Sequence, residues 1–138
     1  VTMVLEVAWH NDRPEKRLDS REQVDAFVQE LASHAPGTVT AATAYALAGE
    51  DDEPDHELLI GADVARGVGV ARYSCAEGTW YLTNGSSTGG PVLAVHFGTP
   101  VELPPDAEVP LDAVRAALHG LLTHEGRRPD AGNWVQTT

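Results

Sequence analysis

Apolar residues recur along this chain in two rhythms, a period of two that reads as strand and a period near 3.6 that reads as helix. Met3, Leu5, Val7 and Trp9 alternate with Val4, Glu6 and Ala8, so residues 2–9 are predicted to form a first strand. The stretch from His10 to Leu18 is charged, carries Pro14 and reads as a loop. Val24, Phe27, Val28 and Leu31 then fall at i, i+3, i+4 and i+7, the stripe of a first helix. Ser20 is suited to cap it, with Gln23 completing a capping box, and Pro36-Gly37 ends it. Thr38 to Leu47 is rich in β-branched residues and reads as a strand, although its alanines also suit a helix. After the acidic loop Gly49 to Glu57 come three strands, His56 to Val64, Gly67 to Cys75 and Thr79 to Thr83. Gly61, Arg66-Gly67 and Glu77-Gly78 punctuate them, and such short turns imply antiparallel pairing. A polar loop, Asn84 to Gly90, leads into the strand Val92 to Phe97 and a short strand at Val101 to Leu103.

The clearest helix is the last. Leu111, Val114, Leu118, Leu121 and Leu122 share one side, with Ala113, Ala116 and Ala117 beside them. Pro110 suits the first helical position, where a missing N–H is harmless. Asp112 complements the positive end of the helix dipole, and a protonated His124 the negative end. Gly126 can close the helix in a left-handed conformation, and Pro129 forbids an immediate restart. Trp134 returns after a short turn, and a ring of that size is expected to pack on the fold.

The element order is therefore β-α-β-β-β-β-β-α. This predicts one α+β domain over residues 1–138: a largely antiparallel sheet of about five to six strands with two helices on one face. Burying eight or nine large apolar side chains at about 1.5–3 kcal/mol each supplies the main driving force, before entropy is subtracted.

Composition narrows the function. The chain has 138 residues, 42% of them apolar, as a globular domain has. No apolar run suggests a membrane span, and Glu6 and His10 interrupt any signal-like N-terminus, so the cytosol is the default expectation. The single cysteine, Cys75, excludes an internal disulfide and an all-cysteine zinc site. Nine basic residues stand against 21 acidic ones, a net charge of -12. Such a surface repels phosphate, which argues against direct nucleic-acid binding, and attracts basic partners; it also serves plain solubility.

Candidate chemistry is sparse. Gly85-Ser86-Ser87-Thr88-Gly89 fits the G-x-S-x-G elbow of serine hydrolases, with Ser87 as nucleophile and Asp112 and His124 following in order. That elbow needs a helix after it, whereas Gly90-Pro91 leads into a strand, and a flexible turn explains the same letters. None of the six histidines forms a helical metal pair. Asp51, Asp52, Glu53 and Asp55 lack the glycine and spaced glutamate of a calcium loop, and a solvated acidic loop accounts for them. No glycine-rich loop joins a strand to a helix, so no phosphate cradle is expected. Cys75 reads as a small buried side chain, and Glu6, in an apolar strand, faces water or needs a partner. No catalytic, metal or cofactor residue is assigned.

One resemblance gives the chain a context. Val109-Pro110 before a long C-terminal helix, then Arg128-Pro129 and a terminal Trp134, resemble the ending of the Imm-one family of immunity proteins from bacterial polymorphic toxin systems. The turn Asn84 to Gly90 is similar to that family's polar Gly/Ser turn, whereas the acidic loop Glu50 to Glu57 matches no motif of the family. The resemblance implies inhibition by binding. The partner would be a cognate toxin domain, often a zinc-dependent nucleic-acid deaminase such as a cytidine deaminase, whose basic groove an acidic protein could fill. On this reading Asp51, Asp52, Glu53 and Asp55, with Asn84, Ser86 and Ser87, contribute to the toxin-facing surface. Arg128, Pro129 and Trp134 are structural and pin the tail to the last helix. Two alternatives stay open: an acidic intracellular adaptor or secretion chaperone, and a small hydrolase using Ser87. A toxin gene immediately upstream separates the first from immunity, and a fluorophosphonate probe tests the second.

Overall fold

The computed structural model describes residues 3–9, 14–48, 53–86, 89–130 and 132–137. In chain order the elements are β1 (Val4–Ala8), β2 (Lys16–Leu18), α1 (Arg21–Ser33), β3 (Val39–Leu47), β4 (His56–Asp63), β5 (Val68–Cys75), β6 (Gly78–Leu82), β7 (Val92–His96), β8 (Thr99–Leu103), β9 (Val109–Pro110), α2 (Leu111–Thr123) and β10 (Trp134–Gln136). The strands form one sheet in the order β10-β6-β5-β4-β3-β1-β2. β1 and β7 share one edge of β3: β1 pairs antiparallel with Thr43 to Leu47, and β7 pairs parallel with Val39 to Ala41. The β7–β8 hairpin thereby folds across the sheet face that the helices leave uncovered.

The α+β class and the antiparallel character are as expected; the strand count is not. Ten strands are present among the described residues, against an expected five to six. The additional ones are short. β2 lies in the predicted loop, and only Leu18 of its three residues is buried. β9 has two residues and β10 three. Period-two alternation is unreadable over so few positions. Gly61, expected to punctuate two strands, lies inside β4, where a Cβ would come within 2.7 Å of Val39 and 2.9 Å of Val70. Its role is close packing rather than a turn.

Two clusters fill the two faces. α1 buries Val24, Phe27, Val28 and Leu31, its whole predicted stripe, and α2 buries Val114, Ala117, Leu118 and Leu121. Both helices pack on Leu5, Val7, Ala42, Ala44, Leu58, Ile60 and Ala71. The small β3 side chains let the helices sit close to the sheet. Leu111 and Leu122 lie at the flanks of α2 and are only half-buried. On the other face Val39, Ala41, Leu59 and Val70 meet Ala94 and Leu103 of the β7–β8 hairpin.

Capping follows the sequence closely. The Ser20 hydroxyl accepts from Gln23 N–H at 3.2 Å, and Gln23 Oε1 accepts from Asp19 N–H at 2.7 Å. Pro110 sits one residue before its predicted place, as the N-cap of α2. At the other end Gly126, with φ +87°, donates its N–H to Leu121 O at 2.9 Å and closes the helix.

Candidate functional site

The acidic loop joins β3 to β4, so it belongs to one end of the sheet. Register brings further carboxylates there. His56, first in β4, pairs with Cys75, and Cys75 pairs with Gly78, so the turn carrying Glu77 lies beside Asp55. The mutual repulsion of Asp55 and Glu77 reaches the Glu77 carboxyl, although the Cys75 thiol outweighs it and holds Glu77 below its usual range. Glu57 faces the uncovered side of the sheet, where Tyr45 donates to it at 3.0 Å. Glu53, Asp55, Glu57 and Glu77 thus share one end. Asp51 and Asp52 lie outside the described residues.

This end is rigidly seated. His56 is buried, and its Nε2 accepts the Ala46 N–H at 2.9 Å. That contact assigns the proton to Nδ1, which donates to Asp55 at 3.0 Å and lowers the pKa of that carboxyl. The ring stacks on Tyr73, whose hydroxyl donates to Gly126 O at 2.7 Å. Burial pushes the Tyr73 hydroxyl up to about 12. A single column therefore ties the acidic loop to the end of α2.

The Gly/Ser turn is elsewhere. Asn84 Nδ2 donates to Glu108 O at 2.7 Å, and Arg66, just past the far end of β4, pairs with Glu108 at 2.9 Å. β4 has eight residues. At roughly 3.3 Å per residue, the turn and the acidic loop are on the order of 25 Å apart. The structure does not bring the two expected partner-facing segments together. Asn84 is also engaged internally, its Oδ1 accepting the Ser86 N–H at 2.6 Å. Ser86 is exposed, and Ser87 lies outside the described residues.

The three tail residues reach two neighbours. Arg128 lies 4.9 Å from the centre of the Trp80 ring on β6. Pro129 packs on α2, where a Cβ at Gly120 would come within 2.6 Å of it. Trp134 begins β10, which pairs with β6 and packs against the helix-side core.

The arrangement offers little chemistry. Asp112 opens α2 and His124 follows it, so about 18 Å of helix separates them and they do not form a dyad. Asp112 instead pairs with Arg115 at 2.7 Å. Cys75 is half-exposed rather than buried, and burial together with its contact to Glu77 pushes its thiol up, away from thiolate chemistry. Glu6 is partly buried beside Arg17 at 3.4 Å; burial and Glu15 raise its pKa. Among the described residues no three His, Cys, Asp or Glu side chains converge as a metal ion needs, and no helix is long and apolar enough to cross a membrane.

Two carboxylates matter that sequence reasoning passed over. Asp63 is fully buried and accepts from Gly37 N–H at 2.8 Å, Ala65 N–H at 3.0 Å and Arg66 at 3.2 Å. Asp106 accepts from Thr83 at 2.7 Å and sets the start of the Gly/Ser turn. A lone Asp at a strand end or in a turn carries no signal of the partners it will hold, so neither was readable.

Comparison with curated proteins gives no match. Comparison with protein families gives one, described as Immunity protein Imm1, over residues 13–136. That span takes in both helices and nine of the ten strands, all but β1. With this match over nearly the whole chain, the protein belongs to the Imm1 family of immunity proteins.

Proposed function

We propose that this immunity protein neutralises its cognate toxin by occupying it, with the acidic end of the sheet leading, and performs no catalysis. The observation that carries this is the gathering of Glu53, Asp55, Glu57 and Glu77 at one end of a chain whose net charge is -12. Asp51 and Asp52, next in sequence to this patch but outside the described residues, are further candidate contacts, and Asn84 and Ser86, with Ser87 next to them in sequence, are candidates at a second, separate place. The toxin is a nucleic-acid deaminase, zinc-dependent and acting on cytidine. An enzyme that holds a phosphate backbone presents a basic groove, and an acidic surface competes for it. The encounter takes place in the cytosol of the producing cell.

The test is co-expression with the toxin domain encoded beside this chain, followed by co-purification and a deamination assay. A stable complex with abolished deamination supports the reading. Reversing the charges of Glu53, Asp55 and Glu77 is expected to slow association and flatten its salt dependence. Unchanged rates would remove the electrostatic part, and turnover of the toxin or its substrate by this chain would remove the whole.

A further inference from the structure

We propose that Arg72 is the docking point for a carboxylate side chain of the toxin domain, an inference that rests on the immunity reading above. Arg72 is central in β5, facing away from the helices between Leu59 and Tyr81 of the neighbouring strands. It lines a cleft of about 400 Å³ together with Ser74, Thr79, Tyr81, Glu102 and Leu103. Arg72 is half-buried, yet its guanidinium makes no hydrogen bond, ion pair or ring contact with the described residues. Lys16, Arg17, Arg66 and Arg115, by contrast, each hold a carboxylate. A chain with 21 acidic residues had many ways to pair Arg72 and leaves its five donors open.

The surroundings suit a planar anion of low charge. Ser74 Oγ accepts from Thr79 at 3.2 Å, which leaves the Ser74 O–H to donate outward. His96 lies near enough to feel Arg72; burial first, and Arg72 with it, lower its pKa against the opposing effect of Glu57. Glu57 is held by Tyr45, and Glu102 is exposed on the rim without pairing to Arg72. Those two carboxylates repel a polyphosphate, whereas one protein carboxylate can meet the guanidinium fork with two hydrogen bonds. Ser74 pairs with Glu57, so the cleft adjoins the acidic end and one partner can cover both. In an acidic-on-basic complex, a single pair of reversed sense fixes register and excludes near-cognate toxins.

The experiment measures binding of the wild type, R72A, R72K and R72E to the neighbouring toxin domain, with amide exchange on the free and bound wild type. R72A is expected to weaken binding about 30-fold or more, R72E further, and R72K to recover only part. The melting temperature should stay put, because Arg72 holds no polar partner among the described residues. Protection should appear at residues 72–74 and 79–81. R72A and R72E binding within about threefold of wild type, the range of a peripheral charge, would overturn the inference while leaving immunity intact. If the wild type itself ignored the toxin domain, the immunity reading would fall and the inference with it.

Discussion

Asp63 shows how one side chain joins distant parts of the chain. Its carboxylate fastens the turn after α1, at Gly37, to the turn after β4, at Ala65 and Arg66. Burial alone would raise its pKa, but the two backbone N–H groups and Arg66 outweigh it and hold the carboxyl below its ordinary value. A depressed pKa contributes stability above the unfolded value near 4 and loses it as pH falls through the lower, folded one. Asp63→Asn keeps an acceptor and the shape but removes the charge. Its deficit against wild type is expected to be greatest near neutral pH and to shrink below about pH 4, as read from urea midpoints. Asp63→Ala removes the shared acceptor of the Gly37 and Ala65 N–H groups and the partner of Arg66, and is expected to cost about 1–3 kcal/mol. A second residue-scale prediction concerns Gly126. A methyl there meets His56 Cε1 at 2.5 Å on a backbone of φ +87°. Gly126→Ala should lower stability by roughly 2 kcal/mol or more, against a smaller cost of about 1 kcal/mol at Gly67→Ser, where the left-handed backbone strains a side chain but nothing crowds it.

At the scale of elements, burial separates α2 side chains that the sequence pattern treats alike. Leu118 and Leu122 both belong to the predicted stripe, but Leu118 is fully buried over the sheet and Leu122 lies at the flank. Leu118→Ala is expected to cost about 2–5 kcal/mol and Leu122→Ala about half that, measured by chemical denaturation. The helices were legible because thirteen residues repeat a 3.6 period several times, and each has its cap. β3 was legible from its β-branched residues, and β4 and β5 from the turn residues that bound them. The short strands were not. Lys16 and Arg17 of β2 look like any charged loop, and their pairing with Val7 and Glu6 is settled by β1 rather than by their own letters. The site divides in the same way. Composition exposed the acidic loop, but only strand register places Glu77 beside it, and nothing about an arginine in a strand announces an unpaired guanidinium.

The whole molecule decides which parts of this surface can act together. A standard interface buries about 800 Å² on each partner, a patch roughly 30 Å across. One toxin domain centred on the acidic end therefore reaches the Arg72 cleft easily, but reaches the Gly/Ser turn, on the order of 25 Å away, only where the interface is larger than standard. Charge also acts over distance, whereas a polar turn acts by contact. With a net charge of -12, this chain steers a basic partner before touching it. Reversal of Glu53, Asp55 and Glu77 should therefore lower the association rate about tenfold or more at low salt, with the difference fading near 0.5 M salt as screening shortens its range. Replacing Ser86 with Ala should leave the association rate alone and change dissociation, if anything, by a few-fold. Stopped-flow association at several salt concentrations separates the two. Equal effects from both ends would mean the toxin lies along the full length of β4. A rate loss confined to Ser86 would move the leading surface to the opposite end of the sheet, where Arg66 and Glu108 stand beside the turn.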